Sequence, residues 1–223
     1  MEYRYYEIPA GSPVLALLGD KWVQNYGRDI DYLHFHNHLE VGFCYYGEGT
    51  VTFKEDIPFD GNMFTVIPKN FPHTTTSAGD SVSYWEWLFI DADKFLREVY
   101  KDNPRMAQKV LDRVNRRAHF VRVQDKPQIG ALVQQIIGCM RERKEFYLEE
   151  VKGLTLALLL QVARWNREEA EKTEFEAGNS SLITPAIDYI SECCDRPIKV
   201  EELAAMCHIS ETHLRRVFHD CMQ

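Results

Sequence analysis

The chain has 223 residues, of which 45% are hydrophobic and 27% are charged, and its formal net charge is -8 at pH 7. This composition excludes a disordered or fibrous protein, and the length predicts one large or two modest globular domains. Because DNA phosphates attract basic surfaces, the acidic balance also excludes DNA binding by the surface as a whole. Any contact with DNA must therefore be local.

Neither a membrane span nor a secretory signal is visible in the sequence. The longest apolar run, residues 154–162, is far shorter than the ~18 to 20 residues that cross a bilayer. Residues 1–7 carry acids and aromatics where a signal peptide has basic residues and then an apolar run. The six cysteines show neither a paired framework nor zinc-finger spacing. We expect a cytoplasmic protein with reduced thiols and no membrane partner.

The first half of the chain has the pattern of short strands separated by turns. Aromatic and β-branched residues are concentrated in segments of strand length. These segments are residues 33–46, 49–54, 63–67 and 81–90. Several strands in succession predict a sandwich or a barrel. Because side chains alternate along a strand, Tyr84, Trp85 and Trp87 place aromatic groups on both faces of the last one.

Two amphipathic helices follow, at residues 128–165, with apolar residues at steps of three and four. The second helix also carries Leu156, Ala157 and Leu160 off its main apolar stripe. Its extra apolar surface is covered either by its own chain or by a second subunit. The charged segment 166–181 lacks an apolar period, and we expect it to be an inter-domain linker.

Residues 182–223 have the pattern of a helix-turn-helix. Thr184 and Pro185 predict the start of a first helix, as N-cap and first helical residue. A second helix is expected at 200–207, and Ser210 is the expected N-cap of a third helix at 211–221.

The third helix is expected to expose Thr212, Arg215 and Arg216. Arginine can bind guanine bidentately in the major groove, and threonine can contact a base edge or methyl group. The alternative is that the two arginines belong to an ordinary solvated helix face.

This C-terminal pattern resembles the first helix-turn-helix of AraC-type (AraC/XylS) transcriptional regulators. The matching positions are Leu203, Ala204, Ile209, Ser210, Leu214, Arg216 and Phe218. The resemblance implies that Thr212, Arg215 and Arg216 face the bases and that His213 lies near the DNA backbone. The sequence departs from the family at His208, where glycine is usual, and at Lys199, where a serine or threonine cap is common.

The family's DNA-binding domain has two helix-turn-helix units, and this sequence covers only the first. From residue 182 onward, four basic residues are opposed by seven acidic ones. Such a surface attracts phosphate poorly. We therefore expect a truncated form that binds DNA weakly or not at all.

Residues 34–47 and 68–77 resemble the two cupin motifs. The resemblance implies that a divalent transition metal would be held by His34, His36, Glu40 and His73. Imidazole and carboxylate suit Fe, Mn, Ni or Zn. The matches are imperfect, since Asn70 stands where glycine is commoner and Ser77 where asparagine is preferred.

The spacing of these residues sets a geometric condition. Six residues of straight strand span about 20 Å, so Glu40 can join His34 only if the chain bends or bulges between them. His38 is a further metal candidate of the same parity. The alternative is a metal-free framework around an organic effector pocket. Barrel mouths are favoured ligand sites, where Trp85 or Trp87 could stack on a sugar or cover an apolar ligand.

Together these patterns predict a mixed α and β fold in three parts. A cupin-like β-barrel with a helical pair, for effector binding and dimerisation, occupies residues 1–165. The linker at 166–181 joins it to a small all-α helix-turn-helix segment at 182–223.

The predicted function is that of a ligand-responsive, DNA-binding transcription regulator rather than an enzyme. The expected partners are double-stranded operator DNA, a small-molecule effector for which the family suggests a sugar, and a second copy of the chain. The effector site is expected at the four cupin-motif residues with Trp85 and Trp87. The main alternative is a metal-dependent cupin enzyme, such as a dioxygenase or an isomerase, which requires stoichiometric metal and turnover. A third hypothesis is a sensing and dimerisation fragment.

Overall fold

A computed structural model describes residues 1–28, 32–172, 180–193 and 197–222. Its strands are β1 (Glu2–Arg4), β2 (Leu15–Leu17), β3 (Val23–Gln24), β4 (His34–His36), β5 (Leu39–Tyr46), β6 (Gly49–Thr52), β7 (Asp56–Phe59), β8 (Met63–Val66), β9 (Thr74–Ser77), β10 (Ser83–Ile90) and β11 (His119–Arg122). Its helices are α1 (Ala92–Val99), α2 (Pro104–Val114), α3 (Pro127–Glu142), α4 (Tyr147–Lys172), α5 (Ser180–Glu192), α6 (Val200–Met206) and α7 (Glu211–Met222). The predicted mixed α and β fold is confirmed.

The strands form two main sheets and a parallel pair. The larger sheet has the order β11-β8-β5-β10-β2, with β3 also paired to β10, and the smaller one has the order β7-β6-β9. Strand β1 pairs in parallel with β4. Each of the four predicted strand segments contains at least one of these strands, so that part of the sequence prediction is confirmed.

The larger sheet is buried on both faces, which explains its long apolar strands. On one face, Val41 and Leu88 belong to a core formed with helices α1 to α4. On the other face, Trp85 and Trp87 pack with Phe59 of the smaller sheet. Tyr84 lies on the helix side of β10, where its ring stacks on Tyr45, so aromatic residues lie on both faces of this strand, as the sequence predicted.

Two glycines permit close packing inside the strand-rich part. A Cβ on Gly42 would lie 2.4 Å from the Trp87 ring, so the indole lies directly over this backbone. Gly47 has a φ of 111°, and a Cβ there would lie 2.5 Å from Cα of Ser83. Both positions require a residue without a side chain.

The first two helices were not predicted, although both begin with recognisable caps. Asp91 accepts a hydrogen bond from the backbone N–H of Lys94 at the start of α1. Asn103 caps α2 in the same way, with Pro104 in its first turn. These are ordinary N-terminal signals. The helical pair predicted at 128–165 is confirmed as α3 and α4.

Helix α4 continues into the segment predicted as a linker. It extends to Lys172. At the start of that segment, Asn166 is buried, and its side-chain amide donates a 2.7 Å hydrogen bond to the carbonyl of Arg113 at the end of α2. Residues 173–179 of the predicted linker lie outside the described residues.

Helices α5, α6 and α7 form the predicted helix-turn-helix unit, with one correction. Helix α5 begins at Ser180, so Pro185 lies inside it and Thr184 is not its N-cap. The prediction was wrong because it relied on a local signal, whereas Ile183 packs into the core of the unit and extends the helix toward its N-terminus. Packing often overrides propensity in this way.

Two further observations concern the described part of the chain. None of its helices combines the length and the apolar character needed to cross a membrane. The cysteines whose side chains are described, Cys44, Cys139, Cys193 and Cys207, are free thiols.

Candidate functional site

Four side chains from the two cupin-like motifs converge inside the strand-rich part. His34 and His36 lie on β4, Glu40 is the second residue of β5, and His73 directly precedes β9. One ligand atom from each lies within 4.8 Å of the other three. The chain bends between β4 and β5, which satisfies the geometric condition that the sequence placed on Glu40. We call these residues the His/Glu cluster.

Backbone hydrogen bonds orient two of the three imidazoles. Nδ1 of His36 lies 2.9 Å from the carbonyl oxygen of His38, and Nδ1 of His73 lies 2.8 Å from that of Phe71. A carbonyl oxygen only accepts, so each Nδ1 carries the proton and donates. In the neutral imidazole the lone pair is then on Nε2, the atom that faces Glu40.

The facing atoms lack hydrogen-bond partners. Nε2 of His36 lies 2.9 Å and Nε2 of His73 3.5 Å from the Glu40 carboxylate. Among the described residues, neither nitrogen has a hydrogen bond of good geometry, and the same holds for Glu40 Oε1 and His34 Nδ1. Buried polar atoms normally have partners. A protonated imidazole or a metal cation between these atoms would satisfy them.

Burial controls the charge of this cluster. It lowers the pKa of His34 to about 2, so this imidazole is neutral at pH 7. Burial alone would raise the pKa of Glu40, but the imidazoles of His73 and His36 beside it hold that pKa below its usual range. A carboxylate is therefore kept ionised in a buried place, which calls for positive charge beside it. Three nitrogen donors and one carboxylate fit a divalent transition metal.

A cavity of about 370 Å³ opens beside the cluster. His34, Glu40 and His73 contribute to its wall, whereas His36 is fully buried behind them. Much of the remaining wall is aromatic, together with two arginines. These residues are Tyr6, Trp22, Tyr26, Trp87, Phe89, Arg4 and Arg28. The volume falls in the range of small-molecule sites.

The two predicted tryptophans have different positions. Trp87 lines the cavity, and the ring of Trp85 stacks behind it with centroids 5.0 Å apart. Trp85 is fully buried and packs against Phe59 and Phe120. His38, the additional metal candidate, is turned away toward Asn37, with which its Nε2 makes a 3.0 Å contact.

The sequence prediction missed the contribution of residues 1–28 to the cavity. Tyr6 stacks on Phe89 with centroids 3.9 Å apart, and its backbone exchanges hydrogen bonds with the Asn37 side chain. Arg4 lines the cavity on β1 and pairs with Glu2 at 2.8 Å. No motif marks these positions.

The second candidate surface is the exposed face of α7. Ser210 caps this helix, since its hydroxyl accepts a 3.2 Å hydrogen bond from the backbone N–H of His213. Thr212, Arg215 and Arg216 are exposed, and His213 is half-buried. The four predicted DNA-binding residues therefore lie on one helix, three of them exposed and the fourth half-buried.

The core of the helix-turn-helix unit holds that face in place. Leu214 and Val217 are buried against Leu203 and Ala204 of α6. The turn between the helices places His208 at a φ of 53°, the left-handed conformation for which glycine is best suited. The departure from the family's glycine thus falls on a backbone position that favours glycine.

Comparisons with known proteins agree with this arrangement at the level of structure. No protein-family model matches the chain. No curated protein sequence matches it either. Several solved structures do. Among them is ToxT from Vibrio cholerae O395, at 12% identity and a TM-score of 0.52, with 93% of this chain and 73% of ToxT covered.

Two further structures extend the comparison. ToxT from the same strain bound to (E)-4-(8-methylnaphthalen-1-yl)but-3-enoic acid matches at 10% identity and a TM-score of 0.52, covering 95% of this chain and 76% of that one. CuxR, described as an AraC-like transcriptional activator, has 14% identity and a TM-score of 0.40, covering 82% of this chain and 61% of that one. The likeness to the two ToxT structures shows that this chain shares their fold.

Proposed function

We propose that this protein is a ligand-responsive transcription regulator that acts in the cytoplasm. A small-molecule effector binds the cavity, and α7 reads double-stranded DNA. The observation that carries this proposal is the presence, in one chain, of a 370 Å³ cavity and a helix-turn-helix unit with Thr212, Arg215 and Arg216 exposed on its third helix. Function in this fold resides in such sites rather than in the architecture itself.

The cavity wall suits a compact ligand with one flat face and polar edges. Trp87 and Tyr26 supply aromatic surface for a sugar ring or an aromatic group. Arg4 and Arg28 pair with Glu2 and Asp80, and their remaining N–H groups favour a carboxylate. ToxT has been described bound to an aromatic butenoic acid. Thermal-shift assays with neutral sugars, sugar acids and aromatic carboxylic acids test this proposal. A true effector raises Tm in the wild type and not in a Trp87→Ala variant.

We infer that the His/Glu cluster holds a divalent transition metal at the base of this cavity. The support is the set of facing nitrogen and oxygen atoms that lack partners among the described groups. Elemental mass spectrometry on protein purified without a nickel resin tests it. We expect near-stoichiometric metal in the wild type and its loss in His36→Ala and His73→Ala, with His38→Ala as the matched control. Metal-free wild-type protein would contradict the metal proposal and would mean that these four residues only support the fold.

DNA binding by α7 is expected to be weak and salt-dependent. Arg216 and Arg215 are exposed, but Glu211 lies 3.9 Å from Arg215 and reduces its positive field. Selection from a random duplex library, followed by fluorescence anisotropy, measures the affinity. Arg216→Ala should reduce specific binding by about 1–3 kcal/mol, whereas Arg105→Ala, an exposed arginine on α2, should not. Tight binding by the 223-residue chain would contradict the expected weakness.

A homodimer through α3 and α4 is the proposed assembly. Leu156 and Leu160 on α4 are only partly buried, and a Cβ on Gly153 of the same face would meet no atom within 4 Å. Gly153→Arg therefore adds a large cation to that face without disturbing the monomer core. Sedimentation velocity should show a dimer for the wild type and a monomer for this variant. A dimer that survives the change would place the interface elsewhere.

The alternative of a cupin enzyme is favoured only by the His/Glu cluster. A dioxygenase or isomerase would require bound metal and turnover. Oxygen-consumption and substrate-depletion assays with the ligands identified by thermal shift distinguish the two functions. We expect binding without turnover, and sustained turnover that is lost in His73→Ala would support the enzyme instead.

A further inference from the structure

We infer that the effector site and the helix-turn-helix unit are mechanically coupled through β4 and the loop at residues 68–73. Ligand at the His/Glu cluster would then change how firmly the unit is held. This inference rests on the proposed function, because it names how that same site is read out. It is carried by two independent contacts between the strand-rich part and α5.

The first contact is Phe35, which lies between two residues of the cluster on a three-residue strand. His34 and His36 face the cluster, so Phe35 points to the opposite side. There it is 7% exposed and packs with Ile183 and Ile187 in the core of the helix-turn-helix unit. One short strand thus supplies ligating side chains to one site and a core side chain to the other.

The second contact is a polar clamp on Asp188 of α5. Its carboxylate accepts a 2.8 Å hydrogen bond from Lys69 and a 3.0 Å hydrogen bond from the side-chain amide of Asn70. The backbone N–H of Asn70 in turn donates to the carbonyl of His36 at 2.8 Å. Asn70 therefore links the Asp188 side chain to the backbone of His36, a residue of the cluster.

Backbone hydrogen bonds tie the loop to the strand. His34 and His73 exchange backbone hydrogen bonds of 2.8 and 2.9 Å. A shift of either imidazole on ligand binding is passed to Phe35 through the strand and to Asp188 through the loop. Packed interfaces of this kind change between discrete arrangements rather than deforming smoothly.

Hydrogen exchange on the full chain tests the coupling without any ligand. Asp188→Asn removes a charge from α5 and leaves its shape unchanged. We expect faster exchange not only in α5 but also in peptides that contain residues 34–36 and 69–73. Glu201→Gln, an exposed acidic residue of α6, is the matched control and should leave those peptides unchanged. Faster exchange confined to α5–α7 in Asp188→Asn would overturn the inference.

A second variant and a metal titration complete the test. Phe35→Leu keeps an apolar side chain and should speed exchange in α5 and α7 while the larger sheet stays protected. Titration with Co²⁺, followed by its visible absorption, measures the cluster directly. Because coupling is reciprocal, Asp188→Asn should change the Co²⁺ Kd by about 5-fold or more, and an unchanged Kd would count against the coupling. Wild-type protein that binds no Co²⁺ would defeat the metal proposal alone, and the exchange result would then decide the coupling.

Discussion

The imidazole of His119 lies flat against the indole of Trp165, with ring centroids 3.6 Å apart. Its Nε2 contacts the side-chain oxygen of Asn166 at 2.5 Å, so the neutral ring donates its proton there. This pair joins β11 to α4 and closes the helical layer over the larger sheet. Burial lowers the pKa of His119 to about 4 from an ordinary value of 6.5.

This depressed pKa predicts a loss of stability in mild acid. Between pH 6.5 and 4 the unfolded chain binds a proton at His119 that the folded protein does not, so the free energy of unfolding falls as pH decreases. The full effect is about 3 kcal/mol, since each unit of pKa corresponds to about 1.4 kcal/mol. Urea unfolding at several pH values should show a shallower pH dependence in His119→Gln. An identical slope in both proteins would contradict the assignment.

The buried carboxylate of Glu86, on the helix side of β10, predicts that replacing it with a neutral amide lowers the free energy of unfolding. Glu86 is fully buried and accepts hydrogen bonds from the hydroxyls of Tyr45 and Tyr84, the backbone of Gly19, and Arg141. Glu86→Gln replaces one acceptor oxygen with a donor. The tyrosine hydroxyl there can turn to accept, but the Gly19 N–H or the Arg141 guanidinium loses its acceptor. We expect a loss of about 2–4 kcal/mol in chemical denaturation. Glu98→Gln, on the exposed side of α1, should change stability by less than about 0.5 kcal/mol.

The left-handed residue in the helix-turn-helix turn predicts a stabilising substitution. His208 has a φ of 53° and is exposed. The left-handed conformation costs an ordinary residue about 1–2 kcal/mol, and glycine avoids this cost. Glycine is also more flexible in the unfolded chain, and this offsets about half of the stabilisation. His208→Gly should stabilise the unit by up to about 1 kcal/mol, seen as slower hydrogen exchange in α6 and α7. His208→Ala should bring no such gain. Equal changes in exchange rate for the two variants would contradict the explanation.

The close approach of Trp87 to Gly42 predicts that even a methyl group is harmful there. Gly42→Ala would place Cβ 2.4 Å from the indole and 2.7 Å from the hydroxyl of Thr65. We expect a loss of about 1–3 kcal/mol from overpacking and an altered tryptophan emission. The matched control is Gly153→Ala on the open face of α4, which should stabilise the protein by up to about 1 kcal/mol.

The His/Glu cluster was predictable because its residue types and spacing follow a known pair of motifs. The sequence also required a bend before Glu40, and the break between β4 and β5 provides it. Helix α7 was predictable for a similar reason, since Ser210 is a strong local cap. In these places the local signal and the tertiary structure agree.

Other parts depended on contacts that no local pattern encodes. Arg4 and Trp22 line the cavity through tertiary contacts of residues 1–28 with the strands. Pro185 suggested a helix start, but the packing of Ile183 extended α5 beyond it. The polar clamp on Asp188 joins residues more than a hundred positions apart. Its Asn70 partner was visible only as a departure from the motif's glycine.

The position of Met1 has a practical consequence for producing this protein. Its side chain packs against the core of the helix-turn-helix unit, beside Phe35, and the strand that follows it contributes Arg4 to the cavity wall. An affinity tag fused ahead of Met1 would crowd both places at once. Purification through a cleavable C-terminal tag would leave the cavity and the contacts with α5 undisturbed.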